Sequence, residues 1–116
     1  MNPHRTMPAA VETYFTSANK TQLEAFTSAF DKDALILDNH REIKGMNAIK
    51  SWCEAEIIGP NVTFEIVDTD YTNNYIVVTA KVNGDFDKSN LPDPLLLKHQ
   101  FLVNNDKIKE LIITLP

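Results

Sequence analysis

The strongest constraint on the fold of this chain is a change in hydrophobic periodicity along its length. In the first half, apolar residues recur every three or four positions, as in helices, whereas the second half alternates apolar and polar residues. The alternation is clearest over residues 75–86, where every second side chain is apolar and lies on one face of a strand. Strands are predicted at residues 62–66, 75–86, 95–103 and 107–115, with turns at 73–74 and 104–106 and a polar loop at 87–94.

A first helix is predicted from its apolar stripe. Pro8 suits the first position of a helix. Val11, Phe15 and Ala18 then recur at spacings of four and three, with Tyr14 beside them. One face of this helix is therefore expected to pack against the rest of the domain.

A second helix is predicted from a capping box at residues 21–24, Thr-Gln-Leu-Glu. The hydroxyl of Thr21 can accept a hydrogen bond from an unpaired backbone N–H, and the carboxylate of Glu24 can reach back to the start of the helix. The polar triplet at 31–33 is expected to end this helix. Its inward residues are predicted to be Leu23, Phe26 and Phe30.

The stretch ALILDNHREIKG supplies the first strands. Residues 34–37 are apolar enough for a strand, 38–40 for a turn, and 41–44 for a short return strand. Gly45 then opens a third helix, and Gly59-Pro60 stops it. The inward face of this helix is predicted to hold Ile49, Trp52, Cys53 and Ile57. Helices thus come mainly first and an antiparallel sheet after, which indicates an α+β fold.

Length, charge and cysteine content limit the class of protein. With 116 residues the chain is expected to form one domain, residues 1–116. A net charge of -5 without a basic cluster argues against nucleic acid as a partner. No apolar run approaches the length that spans a bilayer, so no membrane partner is expected. A single cysteine fits a reducing compartment, and a cytoplasmic location is expected.

Three stretches carry a resemblance to a known superfamily. They are FDKDALILD after the helix pair, REIKGMNAIKSW with its inward tryptophan, and VNGDFDKSNLPDPLLLKHQFLVNNDKIKELII. In order and spacing they resemble the SnoaL-like group of the nuclear transport factor 2-like superfamily, which includes ketosteroid isomerase. The resemblance implies a cystatin-like α+β cone, with three helices packed in a strongly curved, mixed, mostly antiparallel sheet. It also implies a homodimer formed through the outer face of the sheet.

The resemblance implies a catalytic trio. By position, Asp38 is similar to the general base of the ketosteroid isomerase branch, and Tyr14 is similar to its oxyanion tyrosine. His99 stands where that branch has a protonated aspartate, and the supporting tyrosine of the third helix is replaced near Trp52. These departures put isomerase activity itself in doubt. No cofactor is implied.

The alternation of the strand predicted at residues 95–103 supports His99 independently. Leu95, Leu97, His99, Phe101 and Val103 share one face, so His99 is the polar group on an apolar wall. A carboxylate in such a pocket loses hydration and becomes a stronger base. A tyrosine and a neutral histidine can hold an oxyanion or a ligand carbonyl. Five aromatic residues are expected to line the pocket for a small apolar ligand: Phe15, Phe26, Phe30, Trp52 and Phe101.

Each of these assignments has a structural alternative. Asp38 can form an Asx turn, His99 can be a core histidine bonded to a backbone carbonyl or to Tyr14, and Tyr14 can reach solvent with its hydroxyl. The Asp38-x-His40 pair has no third ligand at useful spacing, so no metal is expected. Some related hydrolases use an Asp-Arg-Asp arrangement. Arg41 is near Asp38 in sequence, but no third member is evident.

Two functions therefore remain open from the sequence. The first is a pocket protein that binds or transforms a small apolar ligand, with acid-base chemistry of the isomerase, cyclase or hydratase type if it is an enzyme. The second is a non-catalytic dimeric interaction module whose cone is filled by side chains. A cavity of several hundred cubic ångströms would favour the first.

Overall fold

Six strands form one mixed sheet, and three helices cover one face of it in a computed structural model that describes residues 7–72 and 74–116. The helices are α1 (Ala9–Asn19), α2 (Leu23–Ser28) and α3 (Met46–Cys53), and a π turn, Glu54–Ile58, continues α3. The strands are β1 (Phe30–Asp38), β2 (Arg41–Lys44), β3 (Thr63–Thr72), β4 (Tyr75–Asn83), β5 (Leu96–Asn104) and β6 (Lys107–Thr114). The predicted order of elements and the α+β class are confirmed.

The strand order in the sheet is β2-β1-β6-β5-β4-β3. All neighbours run antiparallel except β1 and β6, which are parallel. Strand β6 therefore lies inside the sheet and joins the β1–β2 hairpin to the β3–β4–β5 meander. Bulges interrupt the register in β1, β3 and at the β5–β6 pair, and bulges bend the strands in which they occur.

The core lies between the helices and the inner face of the sheet. The alternating face predicted on β4 is buried, with Val78 and Ala80 at 0% exposure. On α1, the stripe of Val11, Phe15 and Ala18 is buried as predicted. None of the described helices has the length and apolar character to cross a membrane.

The predicted capping box of α2 is wrong. Gln22, not Thr21, is the residue that precedes the helix, and no side chain caps it. The hydroxyl of Thr21 donates to the carbonyl of Lys20 at 2.7 Å. Glu24 does not reach back, because its carboxylate is paired with Lys50 on α3 at 3.5 Å. Helix α1 also begins one residue later than expected, with Pro8 at its cap position.

The second helix is shorter than predicted. It ends at Ser28, and Phe30 begins β1 instead of continuing the helix. The polar triplet 31–33 accordingly lies within β1 rather than after a helix. Pairing with β6 explains the difference: Ile108 donates its backbone N–H to the carbonyl of Ala29 at 2.8 Å and lies opposite Phe30. Local sequence carries no sign of that partner.

Two strand boundaries also differ from the prediction. Strand β3 extends to Thr72 rather than ending at 66, and β4 ends at Asn83 rather than at 86. The predicted hairpin turn includes Asn73, which lies outside the described residues. The strands on either side pair antiparallel, with Thr72 opposite Tyr75.

Candidate functional site

A cavity of about 440 Å³ lies between the helices and the inner face of the sheet. Its wall is mostly apolar, and its polar side chains come from four different elements. A cavity of this size is within the usual range of small-molecule sites. The lining residues are Tyr14, Asp38, Trp52, Ala55, Glu56, Ile57, Pro60, Val62, Phe64, Val82, Phe86, Leu95, Leu97, His99 and Ile113.

Tyr14 brings a buried hydroxyl to this cavity from α1. The residue is 0% exposed, and its ring packs against Phe26 and Phe101 at centroid distances of 4.7 and 5.2 Å. Among the described residues, no group is in hydrogen-bond geometry with its hydroxyl oxygen. Burial raises the pKa of Tyr14 well above its ordinary value, and the charges of Cys53 and Asp38 act in the same direction. The hydroxyl is therefore a proton donor at neutral pH.

His99 lies on β5 beside Tyr14, with ring centroids 5.7 Å apart. It is 0% exposed, and neither ring nitrogen meets full hydrogen-bond geometry with a partner in the described part of the chain, although the backbone of Val78 and Leu97 lies close to the ring. Burial lowers the pKa of His99 to about 4, while the backbone of Val78 and Leu97 and the charge of Asp38 oppose the shift. The imidazole is therefore neutral near pH 7, so one nitrogen can donate and the other can accept.

Asp38 ends β1 at the wall of the same cavity. Its Oδ2 accepts a hydrogen bond from the indole Nε1 of Trp52 at 3.1 Å and from the guanidinium of Arg41 at 2.9 Å. The Asp38 side chain is 24% exposed, so it is neither fully dry nor free in solvent. The turn bends tightly after it, with Asn39 and His40 at φ 51° and 71°. Both bonds hold the carboxylate in a fixed position at the cavity wall.

The structure brings the predicted trio of Tyr14, Asp38 and His99 to one cavity, with Trp52 on its wall. The four predicted phenylalanines do not line it. Each is buried in the core, in most cases packed directly against the Tyr14 ring. These residues are Phe15, Phe26, Phe30 and Phe101. Alternation assigns a residue to a face of the sheet, but not to the first layer of side chains over a cavity.

Among the lining residues that the sequence does not predict for the site, three supply aromatic rings or a charge. Phe64 and Phe86 supply the phenylalanine rings that do face the cavity. Glu56 lies on the π turn, and Arg41 bridges its carboxylate, at 3.3 Å, to that of Asp38. A carboxylate–guanidinium–carboxylate group therefore exists, although no third member was evident from the sequence. A regular α-helical spacing does not predict the π turn that brings Ala55, Glu56 and Ile57 together on the wall.

The arrangement combines two neutral buried hydrogen-bonding groups with an ionised carboxylate nearer the opening. Such groups can bind a ligand oxygen and can place a base near it. Among the described residues, no cluster of three or more histidine, cysteine or acidic side chains is placed to hold a metal ion. Burial raises the pKa of the Cys53 thiol to about 12, so at neutral pH the thiol is protonated and is a poor nucleophile.

Comparisons with known proteins agree on the fold. No protein-family model and no curated protein matches the sequence. A candidate polyketide cyclase from Sinorhizobium meliloti is 26% identical, with a TM-score of 0.82 over 93% of this chain and 95% of that one. An NTF2-like protein of unknown function from Cytophaga hutchinsonii is 9% identical, with a TM-score of 0.76 over 100% and 95%.

A third similar structure contains a bound ligand. It is a Mycobacterium tuberculosis protein in complex with estradiol-17β-hemisuccinate, 15% identical to this chain. Its TM-score is 0.75, over 96% of this chain and 95% of that one. The protein thus has the cystatin-like α+β fold of the nuclear transport factor 2-like superfamily, which it shares over nearly its full length with ketosteroid isomerase-like and polyketide cyclase proteins.

Proposed function

We propose that this protein binds a small, largely apolar molecule in the 440 Å³ cavity, and that Tyr14 and His99 hold a carbonyl or hydroxyl oxygen of that molecule. One observation carries the proposal. The Tyr14 hydroxyl and both His99 nitrogens are buried at the cavity wall without a partner among the described residues. Buried polar groups without partners are rare in proteins and are often explained by a ligand or a catalytic role.

Buried polar groups without partners destabilise the ligand-free protein. A buried donor or acceptor that lacks a partner costs roughly 1–3 kcal/mol. A ligand oxygen placed between the phenol and the imidazole would recover part of that cost, and the aliphatic wall would take up the apolar body. The Mycobacterium tuberculosis protein of the same fold, crystallised with an estradiol derivative, supports an apolar ligand with oxygen functions.

The same geometry supports a catalytic role for Asp38 in an isomerase, cyclase or hydratase type of reaction. The carboxylate would remove a proton next to a ligand carbonyl while Tyr14 and His99 stabilise the resulting oxyanion. Arg41 and Trp52 both already donate hydrogen bonds to Oδ2 of this carboxylate, so less of it is available to take up a proton from a ligand. Binding is therefore the primary proposal, and slow proton transfer is the secondary one.

Trp52 provides the assay for binding. It is the one tryptophan of the chain and lies on the cavity wall, so its fluorescence reports on ligand entry. Decalone, a saturated bicyclic ketone, serves as probe. We expect Tyr14→Phe and His99→Leu each to weaken decalone binding by roughly tenfold, the effect of losing about 1.4 kcal/mol. Tyr75→Phe is the matched control, because its hydroxyl donates to Glu110 at 3.2 Å away from the cavity.

Equal decalone affinity in wild type and in both cavity variants would contradict the proposed role of Tyr14 and His99. Proton transfer is tested separately, by the exchange of the α protons of decalone in deuterated water, followed by NMR. We expect wild type to accelerate this exchange and Asp38→Asn to abolish the acceleration. Binding without any acceleration would leave a binding protein and remove the enzymatic role.

The alternative function, a non-catalytic module with a filled cone, is less well supported because the cavity is open to a ligand-sized molecule.

The single-domain organisation over residues 1–116, the homodimer through the outer sheet face and the cytoplasmic location stay predictions. Sedimentation velocity at micromolar concentration tests the homodimer, and a monomer there would contradict it.

A further inference from the structure

The polar groups of the cavity differ in charge between its interior and its mouth. The interior holds the neutral phenol of Tyr14 and the neutral imidazole of His99, both 0% exposed. The mouth holds the carboxylates of Asp38 and Glu56, whose side chains are 24% and 45% exposed. Among the described lining residues, these two carboxylates are the charged groups, and both are negative.

The bridging guanidinium balances one of the two negative charges. Arg41 Nη2 lies 2.9 Å from Asp38 Oδ2 and 3.3 Å from Glu56 Oε1. The second oxygen of each carboxylate takes part in neither contact, and Arg41 is not on the cavity wall. Lys88 lies 5.3 Å from the Phe86 ring and lines the adjoining cleft rather than this cavity. The mouth therefore presents a net charge of about -1 to a ligand.

We propose that the ligand is a bifunctional molecule: an apolar body with an oxygen acceptor at its inner end and a cationic group, such as a protonated amine, at its outer end. This inference rests on the proposed function, because the inner end is held by Tyr14 and His99. The π turn carries the specificity, since it places Glu56 on the cavity wall. A ligand with a carboxylate at its outer end is disfavoured by like-charge repulsion.

The charge of the ligand is expected to have a moderate effect on affinity, because the mouth of the cavity is exposed to water and salt. The ligand's charged group would lie about 5 Å from one net negative charge, at a dielectric constant between that of water and that of a protein surface. A positive group there should raise the affinity roughly tenfold, and a negative group should lower it roughly tenfold. A cation should thus bind roughly a hundredfold better than an anion of the same shape. Salt should reduce the difference, because exposed charges are screened.

Three adamantanones test the proposal. They share one rigid apolar body and one ketone, and they carry a bridgehead hydroxyl, ammonium or carboxylate. Their affinities are measured by Trp52 fluorescence for wild type and Glu56→Gln. Glu54→Gln is the matched control, because Glu54 is an exposed glutamate of the same π turn that does not line the cavity. We expect the ammonium-to-carboxylate affinity ratio to fall roughly a hundredfold, to about one, in Glu56→Gln and to stay unchanged in Glu54→Gln.

The outcomes separate this proposal from the proposed function. If the hydroxyl probe binds but the ammonium and carboxylate probes bind equally, the charge preference is refuted while the oxygen site stands. A ratio that is unchanged in Glu56→Gln, or changed equally in Glu54→Gln, refutes the role of Glu56. If none of the three probes binds, the proposed function fails, and the charge preference fails with it.

Discussion

The substitution Tyr14→Phe is expected to have opposite effects on the empty protein and on its complex with a ligand. The Tyr14 ring is packed among Phe15, Phe26 and Phe101, and phenylalanine preserves those contacts. Only the hydroxyl is lost, and that hydroxyl has no hydrogen-bond partner among the described residues. The empty protein should therefore gain stability, whereas decalone should bind more weakly.

The magnitude follows from the environment of the hydroxyl. An unpaired buried polar group costs roughly 1–3 kcal/mol, and a group that faces a cavity belongs at the lower end of that range. Tyr14→Phe is thus expected to stabilise the empty protein by about 1 kcal/mol. For a chain of 116 residues, this corresponds to a rise in Tm of about 4 °C.

Thermal and urea unfolding, followed by circular dichroism, measure this change directly. Tyr75→Phe is again the control: it removes a hydroxyl that donates to Glu110, so this variant should lose a little stability rather than gain any. A loss of 1 kcal/mol or more in Tyr14→Phe would refute the reasoning. It would mean that the hydroxyl is bonded within the protein and is not available to a ligand.

Three further predictions concern pH, the packing of α1, and the size of the cavity. Folding lowers the pKa of His99 from 6.5 to about 4. Between these two pH values, His99 is therefore protonated in the unfolded chain but neutral in the folded protein. Stability should fall by roughly 1 kcal/mol from about pH 7 to about pH 5.5, and urea unfolding of His99→Leu should lack that part of the slope. Asn19→Ala should lower the free energy of unfolding by about 2 kcal/mol in the same assay, because the Asn19 amide exchanges two hydrogen bonds with the Phe64 backbone at 3.0 and 2.7 Å. Phe86 separates the cavity from a cleft of about 240 Å³, so Phe86→Ala should allow decalones with an added alkyl chain to bind. Their affinities are measured by Trp52 fluorescence. An unchanged preference for decalone over the alkylated decalones would contradict this prediction.

The faces of the strands could be predicted because side-chain direction alternates along any strand. That rule placed His99 on the inner face of β5, and the structure buries it completely. The same rule could not separate His99 from Phe101. Both share the face, but His99 lines the cavity and Phe101 packs behind it. Depth depends on which neighbours the helices bring, and those neighbours are distant in sequence.

The misplaced residues have one physical cause in common, which is a partner from a distant part of the chain. Phe30 has the spacing of a helical residue, but pairing with Ile108 holds it in β1. Glu56 is a charged residue and is therefore expected in solvent, but the π turn and the ion pair with Arg41 place it at the cavity mouth. Local propensity yields to tertiary structure at both positions.

The position of β6 between β1 and β5 has a consequence for biosynthesis. Strands β3, β4 and β5 are consecutive and can pair as soon as they leave the ribosome. The β1–β2 hairpin is synthesised earlier, but β1 pairs with the rest of the sheet through β6. One edge of the hairpin therefore stays unpaired until β6 has been synthesised. A nascent chain stalled before residue 107 would present two separate pieces of sheet to chaperones, and neither piece could close the cavity.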